Sequence, residues 1–101
     1  MAREKYKTLT EQMFYILLCL NEERCGIDIM ALVSKMTEGR VVIGPGTLYS
    51  LLADFVKEGF IIETAVEGRK RSYIITENGK AILKEEFNRL ECLVRDYNKV
   101  I

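Results

Sequence analysis

The stretch from Leu83 onward most narrows the folds open to this chain. Leu83, Phe87, Leu90, Val94, Tyr97 and Ile101 are spaced 4, 3, 4, 3, 4, the a/d pattern of a helix that packs along one seam. Almost three heptads predict a helix that extends beyond the domain before it. Its seam needs a helical partner, either the chain's own domain or a second copy. The length of the seam favours a second copy, held through Leu83, Phe87, Leu90, Val94 and Tyr97. At 101 residues the chain is one domain, and its apolar fraction of 49% is generous for a small monomer, which fits apolar surface reserved for a partner.

The residues before the seam predict three shorter helices and a hairpin. In "TLTEQMFYILLCLNEE", Thr8 and Glu11 have capping-box spacing, and Thr10 is an alternative N-cap. Met13 to Leu20 is apolar almost all round, so this helix must be covered on more than one side. In "GIDIMALVSKMTEG", Ile29, Leu32, Val33 and Met36 mark one face, with Gly39 placed to end the helix. "RVVIGPG" reads as a short strand or an extended link, and Pro45 keeps Gly44 out of the helical region. In the third helix, Leu48, Leu51, Leu52 and Phe55 form the apolar stripe, Gly59 is the stop, and Thr47, Tyr49, Ser50, Ala53, Asp54 and Lys57 occupy other faces. "FIIETAVEGRKRSYIIT" is a hairpin, two β-rich runs around a glycine turn. The last helix begins near Thr76 or Glu77. The fold class is therefore mainly α with a small β-hairpin: a winged helix-turn-helix over residues 1–76 and a C-terminal dimerisation helix over 77–101, as one compact unit.

Charge separates the possible partners. Lys plus Arg number 15 against 15 Asp plus Glu, so a protein that coats nucleic acid or membrane indiscriminately is excluded, while a local basic site is not. The cations crowd together at "EGRKRSY", where Arg69, Lys70 and Arg71 fall at or beside the hairpin tip. No apolar run reaches the ~18 residues of a membrane span. "MAREKYKTLTEQ" carries no apolar secretory core. The cysteines, Cys19, Cys25 and Cys92, lack C-x-x-C spacing. They read as reduced core residues of a cytoplasmic protein, with a redox role for Cys25 as the alternative. The chain has no His, so no His-based triad or His-containing metal site can be built. Neither an enzyme, a metal nor a cofactor is expected.

In a winged helix-turn-helix the third helix enters the major groove and the hairpin, or wing, reaches the backbone beside it. Gly46, Thr47, Tyr49 and Ser50 open the third helix with small or hydroxyl-bearing groups beside free backbone N–H groups, which suits a phosphate. The cationic run supplies a second contact from the wing.

These segments resemble the PadR-type transcriptional regulators over about Thr10 to Val94. "GTLYSLL…KEGFI" looks like the family's recognition helix and exit. "EGRKRSYIITENG" looks like its wing and T-E-x-G. "CGIDIMALV" resembles the start of its second helix, with Cys25 and Ile27 where tyrosines are common. The resemblance implies a homodimeric repressor of a short palindrome in double-stranded DNA, held together by the C-terminal helix and helix 1. It implies DNA contacts from Thr47, Tyr49, Ser50 and Lys57 and from Arg69, Lys70 and Arg71, with Lys5 and Lys7 as further phosphate contacts. It also implies a lipophilic effector site lined by Phe14, Tyr15, Phe87 and Leu90, against which stands a closed, packed interface. Ala53 and Asp54 stand where the family often has Lys or Arg; Asp54 either accepts from a cytosine or pairs with Lys57. Two other functions stay open: a winged-helix protein-interaction module, and a ligand-binding dimer without DNA binding.

Overall fold

A computed structural model describes residues 8–101; Lys5 and Lys7 lie outside the described residues. The element order is α1 (Glu11–Cys19), β1 (Arg24–Cys25), α2 (Gly26–Met36), α3 (Pro45–Lys57), β2 (Ile61–Glu67), β3 (Lys70–Ile75) and α4 (Glu77–Val100). The hairpin is the expected wing, but it is not alone. β1 pairs antiparallel with β3, giving a three-stranded sheet of order β1-β3-β2. Two residues carry no readable period, so this strand exists only because β3 offers an edge to Arg24 and Cys25.

Each helix end has an identifiable cause. Thr10, rather than Thr8, caps α1: its hydroxyl accepts from the Met13 N–H at 3.2 Å. Gly44 is the N-cap of α3 and Pro45 its first residue, so the link before it is extended and forms no strand. α3 ends in a Schellman motif. Gly59 adopts φ 80°, the Phe60 N–H reaches the Phe55 carbonyl at 2.9 Å and the Gly59 N–H the Val56 carbonyl at 3.1 Å, while the two phenyl rings pack 6.0 Å apart. α2 ends in the same way with one difference from the sequence reading. Glu38, not Gly39, takes the first left-handed position, at φ 53°, and the Gly39 N–H closes the motif on the Ser34 carbonyl at 2.8 Å.

Ile16, Leu17, Leu20, Ile29, Val33, Leu48, Leu52, Phe55 and Ile61 are fully buried at the centre of the domain. The nearly all-apolar α1 sits between α2 and α4, which is why it needs more than one apolar face. Met36, the last of the four α2 stripe residues, is exposed; the core ends one turn earlier at Val33. Cys19 and Cys25 are buried as expected, whereas Cys92 is exposed, because α4 has by then left the domain that could cover it.

The start of α4 is fixed by a joint in "ITENG". The Thr76 hydroxyl accepts from the Gly79 N–H at 3.1 Å and donates to the Gly59 carbonyl at 2.6 Å, and the Thr76 N–H donates to the Phe60 carbonyl at 2.9 Å. Gly79 lies flat on that turn: a Cβ there would fall 2.1 Å from the Phe60 carbonyl oxygen. Further along, Glu86 is buried, although ionised side chains rarely are. Arg89 grips it with two hydrogen bonds, of 3.1 and 2.5 Å. That guanidinium holds the Glu86 carboxyl below its ordinary range, aided by a bond from the Leu9 backbone and opposed by burial. From Glu91 onward every residue of α4 is exposed.

Candidate nucleic-acid interface

α3 turns Leu48, Leu52 and Phe55 into the core, which leaves Gly46, Thr47, Tyr49, Ser50, Ala53 and Lys57 exposed. The N–H groups of Gly46 and Thr47 precede the first intrahelical bond, from Leu48 to Gly44 at 2.9 Å, and no side chain caps them. They point along the helix axis, where the partial positive charge of the dipole also lies. Asp54 is half-buried on a flank of the helix, and among the described residues no ion pair joins it to Lys57.

Tyr49 is the residue through which α3 meets the rest of the surface. Its ring lies against the α-carbon of Gly26, the first residue of α2: a Cβ on Gly26 would come within 2.6 Å of the Tyr49 hydroxyl oxygen. Glycine at that place lets the ring lie down between α2 and the wing. The sequence showed Gly26 in a motif, but nothing in its neighbours announced a contact with a residue far along the chain.

The wing closes through Gly68 and Arg69 between the paired residues Glu67 and Lys70. Gly68 has φ 62°, the first-position glycine expected of a type II′ turn. This tight turn brings Arg69, Lys70 and Arg71 back over α2. The three cations, together with Cys25, Gly26, Ile27 and Tyr49, line one cleft of ≈ 200 Å³. The wing and the exposed side of α3 therefore share a face of the molecule.

Of the three cations, Arg71 is engaged. Its guanidinium donates to the Glu63 carboxylate at 3.0 Å. Neither Arg69 nor Lys70 has an ion-pair partner among the described residues. A β-bulge between Glu63 and Ala65 sets this arrangement: Glu63 opposes Tyr73 while Ala65 opposes Ser72. Thr64, the extra residue, donates its hydroxyl to Glu23. Sequence reasoning missed Glu63, because a bulge shifts which residues of β2 share a face and leaves no mark on the alternation of side chains. Beside this pair, Tyr49, Ala53, Val56 and Tyr73 complete a groove of ≈ 520 Å³ between α3 and the sheet. Burial raises the Tyr73 hydroxyl above its ordinary pKa, with Glu63 adding to the shift.

The remaining sequence candidates lie on the opposite elements. Phe14, Tyr15 and Leu90 share a cleft of ≈ 340 Å³ between α1 and α4 with Leu9, Glu86 and Arg89. Phe87 is not in it; it lines a neighbouring cleft with Phe14, Leu18 and Leu83. Along α4, Leu83 and Leu90 are half-buried, while Phe87, Val94 and Tyr97 are 41, 61 and 64% exposed. Within the described residues no helix is long and apolar enough to cross a membrane.

The comparisons with known proteins agree with this architecture. The model of the transcriptional regulator PadR-like family matches residues 16–85. No curated protein matches the chain. A solved transcriptional regulator from Clostridium thermocellum superposes with a TM-score of 0.76 at 24% identity, over 99% of this chain and 97% of that one. A PadR family regulator from Eggerthella lenta DSM 2243 gives 0.72 at 20% identity, over 86% and 74% of the two chains. Bacillus subtilis PadR, solved in complex with operator DNA, gives 0.64 at 26% identity, over 72% of this chain and 45% of that one. The family match runs from the buried Ile16 of α1 through α3 and the wing to Glu85 of α4, so the chain belongs to the PadR-like family of transcriptional regulators, which are not enzymes.

Proposed function

We propose that this chain is a homodimeric, sequence-specific DNA-binding regulator that represses transcription until a signal releases it. The carrying observation is that Tyr49 of α3 and the wing cations Arg69, Lys70 and Arg71 line one cleft. One duplex can then meet both. Thr47, Tyr49, Ser50 and Lys57 face the bases and backbone from α3, with the free N–H groups of Gly46 and Thr47 available to a phosphate. Arg69, Lys70 and Arg71 meet the adjacent backbone from the wing. Such a role places the protein in the cytoplasm.

The exposed seam of α4 supports the second copy. Val94 and Tyr97, both more than half exposed in the single chain, continue the apolar pattern of Leu83, Phe87 and Leu90. In an isolated helix they would sit in water. The cleft around Phe14, Tyr15 and Leu90, at ≈ 340 Å³, is within the size range of small-molecule sites. It supports a lipophilic effector held between α1 and α4.

Selection of bound duplexes from a random pool at physiological salt tests the reading. The expected product is a palindrome with half-sites about 10 bp apart or a multiple of that. With three or four phosphates engaged per protomer, log K against log salt slopes about −5 to −7 for the dimer. A monomer in sedimentation experiments, or no enriched sequence, would leave a protein-interaction module or a ligand-binding dimer without DNA binding.

A further inference from the structure

We propose that Glu63 sets the DNA affinity of the wing: its carboxylate occupies Arg71 as an internal stand-in for a DNA phosphate, so that the wing resists backbone contact. This inference rests on the DNA-binding reading above.

The geometry supports it in three ways. Arg71 lines both the cleft it shares with Arg69, Lys70 and Tyr49 and the groove it shares with Ala53, Val56 and Glu63, so it stands where wing and recognition helix meet. Its only ion-pair partner among the described residues is Glu63, at 3.0 Å. The pair is also displaceable. The Arg71 side chain is 60% exposed and that of Glu63 33%, so water and salt screen the attraction and a phosphate oxygen can compete for the guanidinium. The bulge at Thr64 sets Glu63 in this register, and Thr64 is itself tied to Glu23. The acceptor thus sits on a strand fixed at this point, while the arginine is the long, free-ended member.

A consequence follows for energetics. On any duplex a phosphate must compete with Glu63 for the Arg71 guanidinium, and the carboxylate beside it faces the same phosphates. Both costs fall equally on every sequence. Base contacts from α3 compensate them only where the sequence matches. Affinity is thereby lowered on matched and unmatched DNA alike, and weak, uniform binding is suppressed first, with the ratio of the two affinities unchanged.

The test uses the full chain and a mixed-sequence duplex of about 30 bp, with binding followed by fluorescence anisotropy across a salt series. Wild type, Glu63→Gln, Arg71→Gln and the double variant are compared after circular dichroism shows equal melting. Glu63→Gln is expected to bind about five- to twentyfold more tightly at physiological salt. Its salt slope should steepen by about 2 for the dimer, as two further phosphates are engaged. In the Arg71→Gln background, the same change should retain only a minor part of that gain. Three results overturn the proposal. Weaker binding by Glu63→Gln would make Glu63 an aid that orients Arg71. An unchanged slope would show that Arg71 never reaches a phosphate. An equal gain without Arg71 would reduce the effect to general charge. If wild type and variants alike bind no duplex at any salt, the DNA-binding reading itself fails and takes this inference with it.

Discussion

α3 and the far half of α4 carry the same apolar code and meet opposite fates. Leu48, Leu52 and Phe55 recur at helical spacing and are fully buried. Leu90, Val94 and Tyr97 recur at the same spacing, yet Val94 and Tyr97 stand more than half exposed. The pattern specifies that a face must be covered, not what covers it. For α3 the cover is local, because α1, α2 and the sheet are a few turns of chain away. α4 is 24 residues long, about 36 Å at the usual helical rise, and it outruns the domain after about four turns. The domain fully buries the row through Gly79, Ile82 and Glu86, and Leu83 packs against its core in part.

The strongest challenge to that contrast is at the joint between the two regions. Gly79→Ala drives a methyl into the Phe60 carbonyl, where backbone cannot yield cheaply. It should cost about 3 kcal/mol or more in urea unfolding, and a loss under about 1 kcal/mol would mean that α4 is not seated as described. Val94→Asp tests the exposed half. It should leave the near-UV dichroism of the domain intact while raising the dissociation constant of the proposed dimer at least about 100-fold, or ~3 kcal/mol. Sedimentation equilibrium decides this, and an undisturbed dimer would move the interface elsewhere.

Acid titration probes Glu86, the buried carboxylate between α4 and the domain. Because Arg89 lowers the folded-state pKa of Glu86, the native state takes up a proton here less readily than the unfolded chain does: it binds fewer protons as pH falls. The stabilisation is therefore complete above the ordinary carboxylate range and disappears as pH falls through the depressed folded value. Glu86→Gln should unfold more easily at neutral pH and converge with wild type as pH falls through the depressed folded value, a series of urea midpoints being the measurement. The smallest effect belongs to the domain alone. Glu38→Gly relieves a side chain from a left-handed position and should raise stability by about 1 kcal/mol, seen as a higher melting temperature with unchanged dimerisation.

Most of the architecture was legible because it is written in short-range chemistry. Pro45 and Gly59 bound α3, Gly68 turns the wing, Thr76 starts α4, and the stripe residues name the buried faces. The candidate site was legible as residue types and order: hydroxyls at the head of α3, cations at a hairpin tip. Less visible was anything decided by contact between distant segments. β1 is two residues of no distinct pattern. Glu63 reaches Arg71 because of a bulge. Gly26 and Tyr49 meet across two helices. Phe87 separates from Tyr15 and Leu90 because it faces a different cleft.

Local sequence thus settled which segments are helical, where they stop and which faces must avoid water, since backbone stereochemistry and hydrophobic periodicity act within a few residues. Folding in three dimensions settled which of those faces found cover within the chain, which strand edge recruited Arg24 and Cys25, and which wing cation was taken by a carboxylate. Those outcomes depend on distances between groups far apart along the backbone, and such distances come into being only when the core closes.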